Sequence, residues 1–470
     1  MKNLSVYFIY SFSIAALLIL FLNNKNTKIQ FTDEQFFDGF DRNLTQFAKR
    51  SHARSLPDTF LPGFRSNRTV EFYVYEGPGF DFYEDCFEYY GPDAKRNPPM
   101  DITDRQYKHA GSFKFLEGIE NHAWRVKDPE LAKIFVVPAL LGQVIRRGRC
   151  RGKSAKKMIQ DLVFNLGRSK HWKRNNGLDH VLLDTDYRIE GTDKNLKQIR
   201  KYLKNMTVGH HVNYPLINLN DETGLKKNFQ RDPRGCDWAC TVLVPMNERE
   251  IHRETSLNYE DFKNRPNDLF FMGQWDERAG YRTRTQISKI IKNNEFHGLN
   301  YIYTNVKQYG GLQDCNFKVC LKHYNCHCKS GPRSWNLYPK LLGQSKFALA
   351  MSGDNAGSTR YFDAPNSGLI PIFIADQAFT DALPFTSKVP WRDFSFFIPE
   401  TGNSEDLAAE IRSIVNSDDR ILRRKFEMLM RYRDELSWTR NAGKVGENFI
   451  EEAWDRCVQP FIKNSDLYGK

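Results

Sequence analysis

Residues 345–376, SKFALAMSGDNAGSTRYFDAPNSGLIPIFIAD, join an apolar run (347–351), a polar glycine-bearing loop (352–357), a helix-start signature at Ser358 and a second apolar run (369–374). Strand, loop, helix, strand is a βαβ unit, which commits the chain to a parallel sheet covered by helices. The loop lies at the carboxyl end of the first strand, where open α/β sheets bind ligands. Free N–H groups at a helix start suit an anion such as a diphosphate. Arg360, in the first turn, adds a guanidinium fork for phosphate oxygens. Asp363, on the same helical face, could accept hydrogen bonds from ribose hydroxyls. The constellation predicts a nucleotide site, most simply for a nucleotide-sugar. Its plain alternative is an Arg360–Asp363 surface ion pair over an ordinary loop.

The rest of the chain repeats this alternation. Strands are expected within 70–77, 132–139, 180–183 and 242–245, with helices over 111–124 and 154–166. A second series follows: strands over 269–272, within 297–304 and within 395–398, helices over 282–292 and 333–343, and further helices from Glu405. The expected fold is α/β, with two facing Rossmann-like lobes and a cleft between them. The boundaries read from the pattern are 69–245 and 246–470, the last helices packing back on the first lobe.

The chain has 470 residues, 14% of them aromatic, enough for two to three cored domains and too apolar for global disorder. A formal net charge of +12 favours acidic partners: phosphorylated donors, anionic glycans, nucleic acid or lipid headgroups. Nucleic acid is not expected, because the basic residues are dispersed and no RNA- or DNA-binding motif is present.

Residues 6–22 are apolar apart from Tyr7, Tyr10, Ser11 and Ser13, a length within the ~17–25 residues of a membrane span. No small-x-small cleavage site follows, which favours an uncleaved signal anchor over a cleaved signal peptide. Residues 1–5 are then a cytosolic tail and the polar residues 23–68 a stem. Sequons at Asn43, Asn67 and Asn205 lie beyond the anchor, and their glycosylation needs a lumenal setting. The expected location is the Golgi or endoplasmic reticulum membrane, single-pass type II, with the catalytic part in the lumen.

In an oxidising lumen most of the nine cysteines should pair, leaving at least one over. Cys315, Cys320, Cys326 and Cys328, with His323 and His327, lack zinc-finger or ribbon spacing, so disulfides are favoured over zinc. Cys236/Cys240 and Cys315/Cys320 could close local loops, but connectivity is not legible.

Two further motifs are decoys or alternatives. GRCRGKS at 148–154 misses a phosphate loop because Arg147 stands where glycine is needed. Asp184-Thr-Asp186 follows an apolar strand, as carboxylates that hold a divalent cation against a diphosphate do, but Asp-x-Asp is common by chance.

Six blocks in order, over about residues 70–400, resemble the exostosin family of glycosyltransferases: FYVYEG (72–77), FLEGIENHAWRVKDPELAKIFVVP (115–138), HWKRNNGLDHVLL (171–183), VLVP (242–245), LFFMG (269–273) with Arg282, and the opening segment. The resemblance implies the glycosyltransferase B fold and transfer from a nucleotide-sugar, mostly a UDP-sugar, with inversion at the anomeric carbon. It implies a donor site lined by Gly273, Arg282, Ser352, Gly353, Ser358, Arg360 and Asp363, with both arginines on the diphosphate and Asp363 on the ribose. The chain departs from the family at Met351, at Ser367-Gly368-Leu369, at Asp363 (often Glu) and at Asp186-Tyr187-Arg188, the last on the acceptor side.

Inverting transfer needs a base for the acceptor hydroxyl and positive charge for the departing diphosphate. Asp179 and His180 are the base candidates from the first lobe; the other reading has Asp179 capping a strand entry and His180 packing on the sheet. Glu117 and Asp128 read as structural. No cofactor is required and a divalent metal is optional. The expected partners are the nucleotide-sugar, a glycan or glycoprotein acceptor, the membrane and a second protomer or homologue. The competing functions are a non-catalytic glycan-binding partner of an active homologue and a metal-dependent transferase using Asp184 and Asp186.

Overall fold

The computed structural model describes residues 69–82, 110–147, 149–150, 153–186, 189, 203–211, 240–248, 257–273, 282–305, 333–351, 358–375, 383–400, 403–460 and 462. The expected anchor and stem, Asn43, Asn67, Ser352, Gly353 and the 315–328 cysteine cluster lie outside these residues. Among the described residues no helix is long and apolar enough to cross a membrane.

Among the described residues, ten strands form two parallel five-stranded sheets. The first holds β1 (Phe72–Val74), β2 (Ile134–Val136), β3 (His180–Leu183), β4 (Thr207–His210) and β5 (Cys240–Leu243), side by side in chain order. The second holds β6 (Asn267–Gly273), β7 (Tyr301–Asn305), β8 (Ser345–Met351), β9 (Ile370–Ile374) and β10 (Phe396–Ile398), in the spatial order β10-β9-β8-β6-β7. The expected doubly wound α/β class is what the chain adopts. Interior strands such as IFV of β2 and IPIFI of β9 are buried throughout, the pattern of sheets covered on both faces.

In the first lobe the helices are α1 (Gly111–Ile119), α2 (Leu141–Arg147), α3 (Ala155–Arg168) and α4 (Lys170–Asn175). Phe135, Leu182 and Val208 share a core with Met158, Ile159 and Leu162 of α3, while Ile134, Val181 and Leu183 point to the other face. Ser154 caps α3 by accepting Lys157 N–H at 3.2 Å, and Asp128 caps a short 3₁₀ turn through Glu130 N–H at 3.0 Å.

The second lobe carries α5 (Tyr259–Lys263), α6 (Arg282–Lys292), α7 (Arg333–Gly343), α8 (Arg360–Asn366), α9 (Trp391–Phe394), α10 (Ser404–Val415) and α11 (Asp419–Tyr432). Leu269, Phe271 and Leu349 face Ile287 of α6 and Ile411 of α10, whereas Phe270, Met272 and Ala348 face Tyr338 and Leu341 of α7.

The last long helix, α12 (Trp438–Ala453), follows the second sheet in sequence but packs on α1 of the first lobe. Phe449 meets Phe115 edge to face at 5.3 Å. A Cβ on Gly118 would lie 2.5 Å from the Ala442 carbonyl carbon, so the helix crossing needs glycine there. The first turn of α12 is tied to the segment after β5: Glu248 accepts Trp438 N–H (3.2 Å), Thr439 N–H (2.7 Å) and the Ser437 hydroxyl, and Trp438 Nε1 donates to Pro245 O at 2.8 Å. Cys240 of β5 bonds Cys457, 217 positions later, so a local Cys236/Cys240 loop does not form.

Candidate donor site

In the second sheet β6 has its chain successor β7 on one side and β8 on the other. Strand order reverses between β6 and β8, and the carboxyl ends of those strands open the crevice in which doubly wound sheets take their ligands. Gly273 ends β6 and Met351 ends β8.

Arg360 projects into this crevice. Its Nε donates to Met272 O at 2.8 Å, and its guanidinium lies 5.3 Å over the Phe271 ring. α8 begins at Arg360, two residues later than Ser358 indicates. Thr359 takes the N-cap position in helical conformation without a side-chain cap, while the Ser358 hydroxyl lies 3.4 Å from both Arg360 N and Nη1. Ser358 and Arg360 are therefore directly linked.

A second arginine joins them. Arg284 is only 4% exposed, donates through Nη2 to Met351 O at 3.3 Å and covers the same Phe271 ring at 5.4 Å. Arg282, the residue expected from the sequence, is exposed at the first position of α6. The signal that separates them is periodicity: Arg284 shares a helical face with Ile287 and Ile291, and Arg282 does not.

Asp363 is fully buried and accepts the Tyr338 hydroxyl at 2.7 Å, held toward α7. Glu400, not singled out by the sequence, lies just past β10 and accepts the Thr283 hydroxyl at 2.8 Å.

In the first lobe Asp179 and His180 sit at the amino end of β3, fully buried. Asp179 pairs with His180 Nδ1 at 2.7 Å, Asn175 Nδ2 at 2.5 Å and Arg174 Nη2 at 3.1 Å. Burial opposes its charge, but these bonds outweigh burial and hold its pKa below the usual range. His180 Nε2 meets Tyr75 Oη at 2.9 Å, and the ring lies between Phe135 and Trp172. This geometry fits the structural reading of the pair. Strand direction is the sequence signal for it, since residues entering a parallel strand lie opposite its carboxyl loop.

At the carboxyl end of β3, Asp184 accepts Gly142 N–H at 2.7 Å and Asp186 N–H at 2.9 Å, both carboxylates being fully buried. Burial and the neighbouring Asp186 charge push the Asp184 pKa up to about 7. His210, at the end of adjacent β4, faces it, and His211 lies beside His210 at 4.2 Å between ring centroids. Among the described residues no three His, Cys, Asp or Glu side chains converge as a metal site. Trp172 and Trp391 are core residues, Trp391 Nε1 donating to Pro384 O at 2.8 Å; Trp275 lies outside the described residues. The Asn205 amide donates one N–H to Asn176 O at 2.9 Å.

Two parallel Rossmann-like lobes, one with an arginine-lined crevice at its switch point, define the glycosyltransferase B class of fold. The chain belongs to the exostosin family: the exostosin GT47 domain matches residues 66–415. It is 25% identical over 281 residues to the probable arabinosyltransferase ARAD1 of Arabidopsis thaliana, a match covering 58% of this chain and 51% of that relative. The chain thus spans about half the length of this curated relative. Solved structures it is similar to include an alpha-glucosyltransferase in complex with UDP-glucose and abasic-site DNA (TM-score 0.34, 11% identity, 81% of this chain and 98% of that one) and S. aureus MnaA with UDP (TM-score 0.35, 8% identity, 82% and 96%).

Proposed function

We propose that the protein is an inverting glycosyltransferase that moves a sugar from a nucleotide-sugar, with UDP as the nucleotide, to a glycan or glycoprotein acceptor in the secretory lumen. One observation carries this reading: in a chain of the exostosin family, Arg284 and Arg360 converge over Phe271 at the strand ends of the switch point.

In the reaction the acceptor oxygen attacks the anomeric carbon from the face opposite the diphosphate. The bond from that carbon to the diphosphate oxygen breaks with its electron pair, and the acceptor proton passes to a base. Arg360 and Arg284 stabilise the charge that develops on the leaving diphosphate, Ser358 helps to orient Arg360, and no proton is needed from either guanidinium. Asp179 and His180, buried at the amino end of β3, take the structural part. The base belongs at the carboxyl end of the first sheet, where Asp184 and His210 face each other.

The name of the Arabidopsis relative supports a pentose donor, with a hexose the competing choice. The Cys240–Cys457 disulfide and the three sequons support the lumenal setting. The deciding experiment is a screen of residues 69–470, secreted from cells, against UDP-pentoses and UDP-hexoses, with release of UDP as the readout. Arg360→Ala should abolish transfer while leaving secretion intact; full activity in that variant would sink the site assignment. Donor binding without turnover on any acceptor would favour the non-catalytic glycan-binding alternative.

A further inference from the structure

We propose that Glu400, set in place by Thr283 beside Arg284 and Tyr361, accepts hydrogen bonds from a vicinal diol of the nucleotide-sugar, the part expected from Asp363. This rests on the donor-site reading above and goes beyond it by assigning a residue that no sequence motif marks.

Three observations carry it. The first is what holds Asp363: its carboxylate is fully buried and accepts the Tyr338 hydroxyl on the α7 side of the sheet. A diol would have to displace that bond and open the packing of α8 on α7.

The second is the place of Glu400. β10 is the edge strand, two strands away from β8, yet α10, which follows it, packs against α6. That packing brings the segment after β10 to the first turn of α6, where Thr283 donates to Glu400 Oε1 at 2.8 Å. The next residue, Arg284, reaches the end of β8 through Met351 O. Glu400 is partly exposed, so this carboxylate stands at the strand carboxyl ends within reach of solvent.

The third is the Tyr361 hydroxyl, which is buried and has no hydrogen-bond partner among the described residues. Among the described residues, Arg284, Glu400 and Arg360 are the charged groups close enough to act on it. Burial raises its pKa, so it stays a neutral O–H donor. Buried polar groups left unpaired are rare and ask for a partner. Tyr361 stands next to Arg360 at the start of α8, on the side of Phe373 rather than of α7.

A carboxylate accepts from two neighbouring hydroxyls at once, a phenol donates to an oxygen, and a guanidinium satisfies a phosphate. A nucleotide-sugar presents this combination at both ends of its diphosphate, as the ribose diol and as the hydroxyls of the transferred sugar.

The test is calorimetric titration of the purified full-length protein and its Glu400→Gln and Tyr361→Phe variants with UDP, 2′-deoxy-UDP, UDP-glucose and UDP-arabinose. Glu400→Gln should weaken binding about tenfold or more, the loss expected when a charged hydrogen-bond acceptor is removed. Loss of the preference for UDP over 2′-deoxy-UDP identifies the ribose as the source of the diol. Weakened binding of a UDP-sugar with UDP unchanged identifies the transferred sugar. Unchanged affinity for all four ligands overturns the proposal, and so does tighter binding of all four, the result if Glu400 only repels the diphosphate. If Glu400→Gln does not fold, Thr283→Val removes only the bond that orients the carboxylate and is judged on the same outcomes. Failure of the wild-type protein to bind UDP would defeat the donor-site reading itself, which separates the two failures.

Discussion

The Arg360 guanidinium fills the space that a side chain at residue 273 would need: a Cβ on Gly273 would lie 2.6 Å from Arg360 Nη2 and 2.7 Å from Phe271 Cζ. Gly273 therefore sets how closely the arginine approaches the end of β6. Gly273→Ala should push the guanidinium off its Met272 carbonyl and weaken nucleoside diphosphate binding about tenfold, or ~1.4 kcal/mol, and lower the melting temperature because the buried Phe271 ring must shift as well. Titration with UDP alongside a thermal melt checks both halves.

Arg282 and Arg284 are two residues apart and should behave differently. Arg282→Ala changes an exposed position and should cost less than ~0.5 kcal/mol of stability. Arg284→Ala empties a buried site over Phe271 and should lower both stability and donor affinity. Arg284→Lys should not restore binding, because lysine lacks the planar fork. Donor KM values for the three variants decide it.

Asp179→Asn should destabilise the protein by about 3 kcal/mol at pH 7, the scale for breaking a buried hydrogen-bonded pair. Because the folded-state pKa of Asp179 is depressed, its contribution is present above the unfolded value near 4 and fades as pH falls. The gap between wild type and variant should accordingly narrow in acid. The kcat of the folded variant should keep the wild-type pH profile; a lost acidic limb, the fall in rate as a general base becomes protonated, would make this pair the base after all.

Asp184 has the opposite sign. Its folded-state pKa is raised to about 7, so its contribution is complete below the unfolded value near 4 and is lost as pH rises through about 7. Asp184→Asn keeps an oxygen to accept a backbone N–H and removes the charge. Its melting temperature should therefore fall less than that of wild type between pH 5 and 8, and parallel curves would refute the assignment.

Removing the Cys240–Cys457 bond, by Cys457→Ser or by reduction, should cost about 2–5 kcal/mol. It closes a long loop and staples the turn that follows α12 to β5. Denaturant unfolding with and without reductant measures the loss.

Much of the fold was legible because element type follows from local periodicity. The apolar runs around residues 134–136, 180–183 and 370–374 are the strands found, and α6 and α7 occupy the ranges their patterns indicate. β4 was not legible: TVGH offers a single aliphatic side chain, and it becomes an interior strand because Gly209 lets the Phe449 ring of α12 press on the sheet. The candidate site shows the same division. Arg360 stands in the opening motif and Gly273 was implied by the family resemblance, whereas neither marked Arg284 or Glu400, since Thr283 and Glu400 meet across 117 positions.

By itself the sequence determined two alternating α/β series, a βαβ unit with an arginine at its helix start and the family to which the chain belongs, because these depend on residues close together in the chain. Only the tertiary structure decided that Arg284 is buried over Phe271 while Arg282 is exposed, that Cys240 pairs with Cys457, and that Asp179 and His180 stay buried at the amino end of their strand. These are choices among faces, ends and distant partners, and the packing of helices on both sides of two parallel sheets makes them.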